Sequence, residues 1–194
     1  VEAILRAEES INIHCIGFSM GGMLEQIFLR EHKDRVKSIT LFHCPPPSSS
    51  YAKSMKRAIN INRIIPVWLF RTISKYALSR ELRKYPGVPK EEKEFWTQYY
   101  SGTYSKKRMI NQLRIVVDYL ENYHFTGNDL DNWSGKVLIF ETATDTLIPY
   151  VERQRLKGIY PQARVHTFTS GTHLGNGIFR FNETIALIKD FLAE

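Results

Sequence analysis

The chain has 194 residues, 43% hydrophobic and 24% charged, with 27 Lys and Arg against 20 Asp and Glu for a net charge of +7. This length fits one domain with a sizeable core, and the composition is that of an ordinary globular chain. No apolar run approaches the roughly 20 residues of a membrane-spanning helix, and no secretory signal stands at the start.

Residues 1–8 read as the tail of an amphipathic helix, with Val1, Ile4 and Leu5 on one face. We therefore expect the natural polypeptide to begin earlier. Residues 11–16 (Ile-Asn-Ile-His-Cys-Ile) are short, β-branched and free of Gly and Pro, which predicts a buried strand. The run Gly17-Phe18-Ser19-Met20-Gly21-Gly22 follows, and then the helical apolar spacing of residues 23–30. A serine at so tight a strand-to-helix corner takes a strained backbone and projects its hydroxyl outward. Gly17 and Gly21 are expected to avoid clashes across the turn, and Gly22 to let helix and strand pack closely. This is the G-x-S-x-G pattern of a nucleophile elbow; the same letters can also form a plain structural turn.

Residues 36–42 read as a second strand, left through Cys44-Pro45-Pro46-Pro47-Ser48-Ser49-Ser50. From residue 51 to about 133 the pattern becomes helical. Breaks are expected at Pro66, at Pro86-Gly87-Val88-Pro89 and at Ser101-Gly102. This region is aromatic (Trp68, Phe70, Tyr76, Phe95, Trp96, Tyr99, Tyr100, Tyr104) and its first part is basic. Residues 51–84 hold nine Lys or Arg against Glu81 alone, a net of +8 that leaves −1 for the rest. A solvated basic helix face is the plain reading; attraction of an anionic substrate or an anionic membrane surface are the functional ones. No nucleic-acid-binding module accompanies the charge, so no nucleic-acid partner is expected.

Strand-like residues 136–140, helical 151–160, strand-like 163–168 and an amphipathic helix over 181–192 complete the chain. Strands alternating with helices imply an α/β fold with a mostly parallel sheet, flanking helices and right-handed crossovers. Residues 1–47 and 134–194 would form its core, and residues 48–133 a helical lid over the carboxyl ends of the strands. Cys15 and Cys44 read as buried reduced thiols in a cytosolic setting, with a disulfide left open. Six scattered histidines show no ligand spacing with them, so no metal is expected.

A nucleophilic serine needs a base and an orienting acid on later loops at the same end of the sheet. Asp145 stands on the loop after the third strand, in Thr142-Ala143-Thr144-Asp145-Thr146-Leu147-Ile148-Pro149. His173 stands after the fourth, in Ser170-Gly171-Thr172-His173-Leu174-Gly175. Glu141 is an alternative acid, although it sits at a strand end. His14, His43 and His166 read as core, rim or packing residues, and His32 and His124 have no strand-end placement.

With these motifs the whole chain resembles the α/β-hydrolase superfamily in its lidded esterase- and lipase-like branch, specifically the C-terminal portion of that fold. Residues 34–41 resemble its passage from helix to strand after the nucleophile, Asp145–Pro149 its acid loop and Gly171-Thr172-His173 its histidine loop. Thr142 and Thr172 depart from the pattern, standing where glycine is more frequent. The resemblance implies catalytic Ser19, Asp145 and His173, and an oxyanion donor at the amide of Met20. It implies no cofactor or metal, and the hydrolysis of carboxylic esters by a small carboxylesterase or monoacyl lipase; the apolar, aromatic lid suggests a small-molecule ester with a hydrophobic acyl part. C–C bond hydrolysis, acyl transfer, perhydrolase chemistry or a non-catalytic binding role are the alternatives. The family's second oxyanion donor and the strands flanking the elbow strand come from earlier in the chain, so further chain or a second copy is expected along that open edge.

Overall fold

Period-2 alternation with apolar residues on both faces builds the sheet. The computed structural model describes residues 2–8, 12–103 and 105–193. Four parallel strands, β1 (Ile13–Phe18), β2 (Val36–Phe42), β3 (Lys136–Thr142) and β4 (Arg164–Phe168), lie in the order β1-β2-β3-β4. In register, Phe18 stands beside Phe42, Phe42 beside Phe140, and Thr142 beside Phe168, so the four carboxyl ends share one edge.

Helices cover both faces of the sheet. Ile39, Leu41, Val137 and Ile139 pack against Leu29 of α2 (Met20–Glu31) and Leu156 of α7 (Tyr150–Ile159). Phe42, Leu138, Phe140 and Phe168 point the other way, onto Ile188 and Phe191 of α9 (Phe181–Ala193). Each such buried aliphatic side chain contributes about 1.5–3 kcal/mol relative to exposure. The remaining helix near the site is α8 (His173–Phe179), and α1 (Glu2–Ala7) begins the described chain.

Between β2 and β3 the chain forms α3 (Ser49–Ile64), α4 (Val67–Arg83), α5 (Lys90–Thr103) and α6 (Lys106–Asn122). The Ser48 and Ser105 side chains cap α3 and α6 by accepting from Tyr51 N at 3.3 Å and Arg108 N at 3.1 Å. Tyr51, Ala52, Tyr119 and Leu120 of α3 and α6 seat this insertion on Met23 and Ile148.

Some expectations change. The elbow strand, expected to be buried, buries only Gly17 and leaves Ile16 58% exposed. The elbow strand runs on through Gly17 to Phe18. Ser101 and Gly102 do not break a helix, since α5 continues to Thr103. Leu5 is buried but Ile4 is 66% exposed, so they do not share a covered face. Gly21 is treated below. Val1, Ile11, Tyr104 and the side chain of Tyr100 lie outside the described residues. Among the described residues, no helix is long and apolar enough to cross a membrane.

Candidate active site

Each strand delivers one chemically capable side chain to the common edge: Ser19 after β1, His43 after β2, Asp145 after β3 and His173 after β4. Ligand sites of open parallel sheets form at this edge.

Ser19 makes the whole corner between β1 and α2, at φ 52° and ψ −111°. Such a backbone costs a non-glycine residue about 1–3 kcal/mol. The corner holds because Ser19 N donates to Phe42 O at 2.7 Å and Ser19 O accepts from Met23 N at 3.3 Å. A Cβ at Gly17 would lie 2.5 Å from the Gly22 nitrogen, and one at Gly22 would lie 2.7 Å from Cys44 Sγ, so both glycines are needed for close approach. Gly21 is different, because a Cβ there would meet nothing within 4 Å. It lies on the exposed side of the first turn of α2. Met20 opens α2, and the first backbone N–H groups of a helix have no intrahelical acceptor.

The structure brings the three expected residues together. His173 Nε2 lies 3.0 Å from Ser19 Oγ, and His173 Nδ1 lies 2.8 Å from Asp145 Oδ2. The other carboxylate oxygen, Asp145 Oδ1, accepts from Leu147 N at 2.7 Å and Ile148 N at 3.0 Å. Burial works to raise the Asp145 carboxyl, but its bond to His173 and those two amides outweigh it and hold the carboxyl below its ordinary range. With Asp145 ionised, Nδ1 of His173 carries the proton and Nε2 is free to accept one from Ser19. The Phe18 ring, 5.7 Å from that of His173, walls one side.

Glu141 is engaged elsewhere, with Lys157 Nζ at 3.0 Å and Thr167 Oγ1 at 2.9 Å. His14 bonds Ser38 Oγ at 2.7 Å, His166 packs edge-on to Phe168, and His32 lies against Phe28. Both cysteines are free; Cys44 is buried as expected, whereas Cys15 is only partly buried. Burial, aided by Glu25, pushes the Cys15 thiol up to about 11 and the Cys44 thiol well above its ordinary value.

Sequence reasoning missed two features. Glu25 of α2 is buried, accepting from Thr40 N at 3.1 Å, and burial raises its carboxyl to about 8. His43, at φ 47°, bonds His173 O through Nδ1 at 2.7 Å and Thr142 Oγ1 through Nε2 at 2.8 Å. Burial first and His173 second lower its pKa to about 4, so it is neutral. Its placement directly after β2 was the available signal. His43, Asp145 and His173 each offer an atom within 4.8 Å of the others, a spacing a metal could use. Both nitrogens of His43 and both oxygens of Asp145 already hold the bonds given above, which an ion would have to displace.

Lys56 and Arg63 of the basic segment, with Arg114 of α6, line a cleft of about 300 Å³ between α3 and α6. Lys56 there pairs with Glu121 at 2.6 Å.

The chain matches the family described as alpha/beta hydrolase fold over residues 1–177. Similar solved structures include an esterase from Exiguobacterium antarcticum at 16% identity and TM-score 0.66, covering 97% of this chain and 69% of that one. A meta-cleavage product hydrolase from Pseudomonas fluorescens IP01 aligns at 17% identity and TM-score 0.65, over 98% and 68% of the two chains. An N-acyl homoserine lactone degrading enzyme aligns at 16% identity and TM-score 0.70, over 98% and 71%. Among curated proteins, no sequence match was found. With the family matched over most of its length, this chain belongs to the alpha/beta hydrolases.

Proposed function

We propose that the protein is a serine hydrolase of carboxylic esters. The observation that carries this reading is the continuous contact Ser19 Oγ–His173 Nε2 (3.0 Å) and His173 Nδ1–Asp145 Oδ2 (2.8 Å), built on a strained serine corner.

Ser19 Oγ attacks the acyl carbon while His173 Nε2 takes its proton. The carbonyl π electrons move to the oxygen, and the Met20 N–H stabilises that charge. On collapse the C–O bond to the alcohol breaks, and His173 returns the proton to the leaving oxygen. Water, deprotonated by His173, then releases the acid and regenerates Ser19. Asp145 keeps the imidazole in the required tautomer and stabilises its charged form.

Helices α3–α6 serve as the lid. Trp68 at 68% exposed, Phe95 at 57% and Tyr99 at 46% give α4 and α5 an apolar surface suited to a hydrophobic acyl part. The fold itself does not select the substrate. Its solved counterparts are described variously as an esterase, a meta-cleavage product hydrolase and a lactone-degrading enzyme.

Fluorophosphonate labelling of the full-length protein, with the adduct located by peptide mass spectrometry, tests the reading. An adduct on Ser19 that is lost in His173→Ala supports it, followed by turnover of nitrophenyl esters of graded chain length. Folded protein left unlabelled at Ser19 overturns it, and a ligand-binding role becomes the better account.

A further inference from the structure

His173 is held twice, and only one of the two holds is the expected one. Asp145 fixes its ring. A separate hydrogen-bonded circuit fixes its main chain, and that circuit begins in the inserted helices.

Tyr85 lies just beyond α4 and is 8% exposed. Its hydroxyl accepts from Thr172 N at 2.8 Å and donates to Asn176 Oδ1 at 2.9 Å. Asn176 Nδ2 in turn donates to Thr142 Oγ1 at 2.6 Å and to Ser170 O at 3.0 Å. Neutral His43 has one N–H, and a carbonyl can only accept, so Nδ1 donates to His173 O and Nε2 accepts from the Thr142 hydroxyl. Every link from Tyr85 through Asn176, Thr142 and His43 therefore has one donor and one acceptor. The two ends of the circuit, Thr172 N and His173 O, clasp the backbone on either side of the His173 Cα.

The histidine loop is shaped around the tyrosine. A Cβ at Gly175 would overlap the Tyr85 ring, and one at Gly171, which is at φ 106°, would lie 2.6 Å from its hydroxyl. Phe179 of α8 packs on the same ring, with centroids 4.9 Å apart. Asn176 and Thr142 are both wholly buried, so a broken link would strand polar groups without water. Thr142 and Thr172, the two positions that depart from the family's glycine pattern, are both members: Thr172 Oγ1 caps α8 through Gly175 N at 3.0 Å.

We propose that Tyr85 is a positioning residue: the circuit it closes aligns His173 with Ser19, so that seating of the inserted helices on the histidine loop sets the alignment of the base. This rests on the triad reading above. Misplacement of a base by about 1 Å can cost some hundredfold in rate.

The test compares Tyr85→Phe with the unaltered full-length protein, using kcat and KM on a nitrophenyl ester across pH and the rate of fluorophosphonate labelling. We expect kcat and labelling to fall about tenfold or more, with KM within roughly twofold. The pH midpoint of kcat should move down, as a loosened Asp145 contact stabilises the imidazolium less. Unaltered kcat and midpoint in folded Tyr85→Phe overturn the proposal. If that variant does not fold, Thr142→Val and Thr142→Ser decide: loss in the first with retention in the second supports the circuit, and equal rates overturn it. If the unaltered protein does not label, the hydrolase reading fails by itself. The His173 Nδ1 proton followed by NMR then reads positioning directly: at least tenfold faster solvent exchange in Tyr85→Phe supports it, and unchanged exchange overturns it.

Discussion

The sheet and the helices inserted into it are held in different ways. In β3 every residue after Lys136 is buried, and the strand is packed on both faces. In α4, with 17 residues, only Phe70 and Leu82 are buried, while Ile64 just before it is 82% exposed. The insertion is pinned by α3 and α6 at Met23 and Ile148, and by Tyr85 at the histidine loop. A strained serine needs surroundings that cannot relax, and the sheet supplies them. The lid role proposed for the insertion calls for the opposite, a body attached at a few points and able to part from the sheet between them.

The largest expected effects test the rigid side. Ser19→Ala and Asp145→Asn should each lower ester hydrolysis by about 10⁴-fold, the first by removing the nucleophile and the second by releasing the tautomer of His173. Thermal unfolding should be nearly unchanged by Ser19→Ala. A large rate loss with intact folding places the chemistry on the sheet edge; retained activity would mean that the insertion, or another group, carries it.

Stability substitutions sharpen the contrast. Ile139, 2% exposed between β2 and α7, should cost about 2–5 kcal/mol when changed to alanine, whereas Ile64→Ala should stay within about 0.5 kcal/mol. Denaturant unfolding measures both. Comparable losses would mean that the exposed face of α3 and α4 is covered in solution.

Glu25 gives the sheet side a pH signature. Its carboxyl is raised by burial to about 8 in the folded protein, so between the ordinary carboxylate range and pH 8 the folded state binds more protons than the unfolded one. Stability from this group is therefore greatest at acid pH and declines, by about 1.4 kcal/mol per pH unit, as pH rises through that window. His43, lowered to about 4, works in the opposite sense, and its contribution is lost as pH falls from its ordinary value toward 4. The two slopes oppose each other in mildly acid solution, leaving that of Glu25 between about pH 6.5 and 8, beyond which the raised Cys15 and Cys44 thiols take over in the same sense. Unfolding of Glu25→Gln should lose the decline between about pH 6.5 and 8; an unchanged slope in that window would show that Glu25 is ionised in the folded protein.

What could be read from the sequence depended on how far apart the interacting residues lie along the chain. Ser19, Asp145 and His173 each sit in a local grammar of strand, tight turn or loop, and helix, and the structure brings them into contact. The inserted helices were legible as helices, but Ser101-Gly102 was over-read as a break, because a single glycine costs a helix only about 1 kcal/mol and neighbouring turns can carry it. The circuit from Tyr85 to His43 left no local trace. Its links join residues 87 to 130 positions apart at several points, and Thr142 and Thr172 registered only as departures from a pattern. Glu25 was invisible for a related reason: a carboxylate on an amphipathic helix reads as solvated until the Thr40 amide beneath it is placed.

The two glycines of the serine corner carry the contrast to its smallest scale. Gly17, on the sheet side, faces the backbone of α2, and an alanine there must displace the Gly22 nitrogen 2.5 Å from its Cβ. Gly21 has the same status in the motif but stands on the exposed first turn of α2, with no neighbour within 4 Å of an added methyl and no positive φ. Alanine restricts the unfolded chain and suits a helix better, so Gly21→Ala should stabilise by about 0.5–1 kcal/mol. Ser19 should remain open to labelling. A stabilised, still-labelled Gly21→Ala beside a destabilised Gly17→Ala would locate the steric demand of the corner on its sheet side. Loss of labelling in Gly21→Ala without loss of stability would instead place the substrate against that turn.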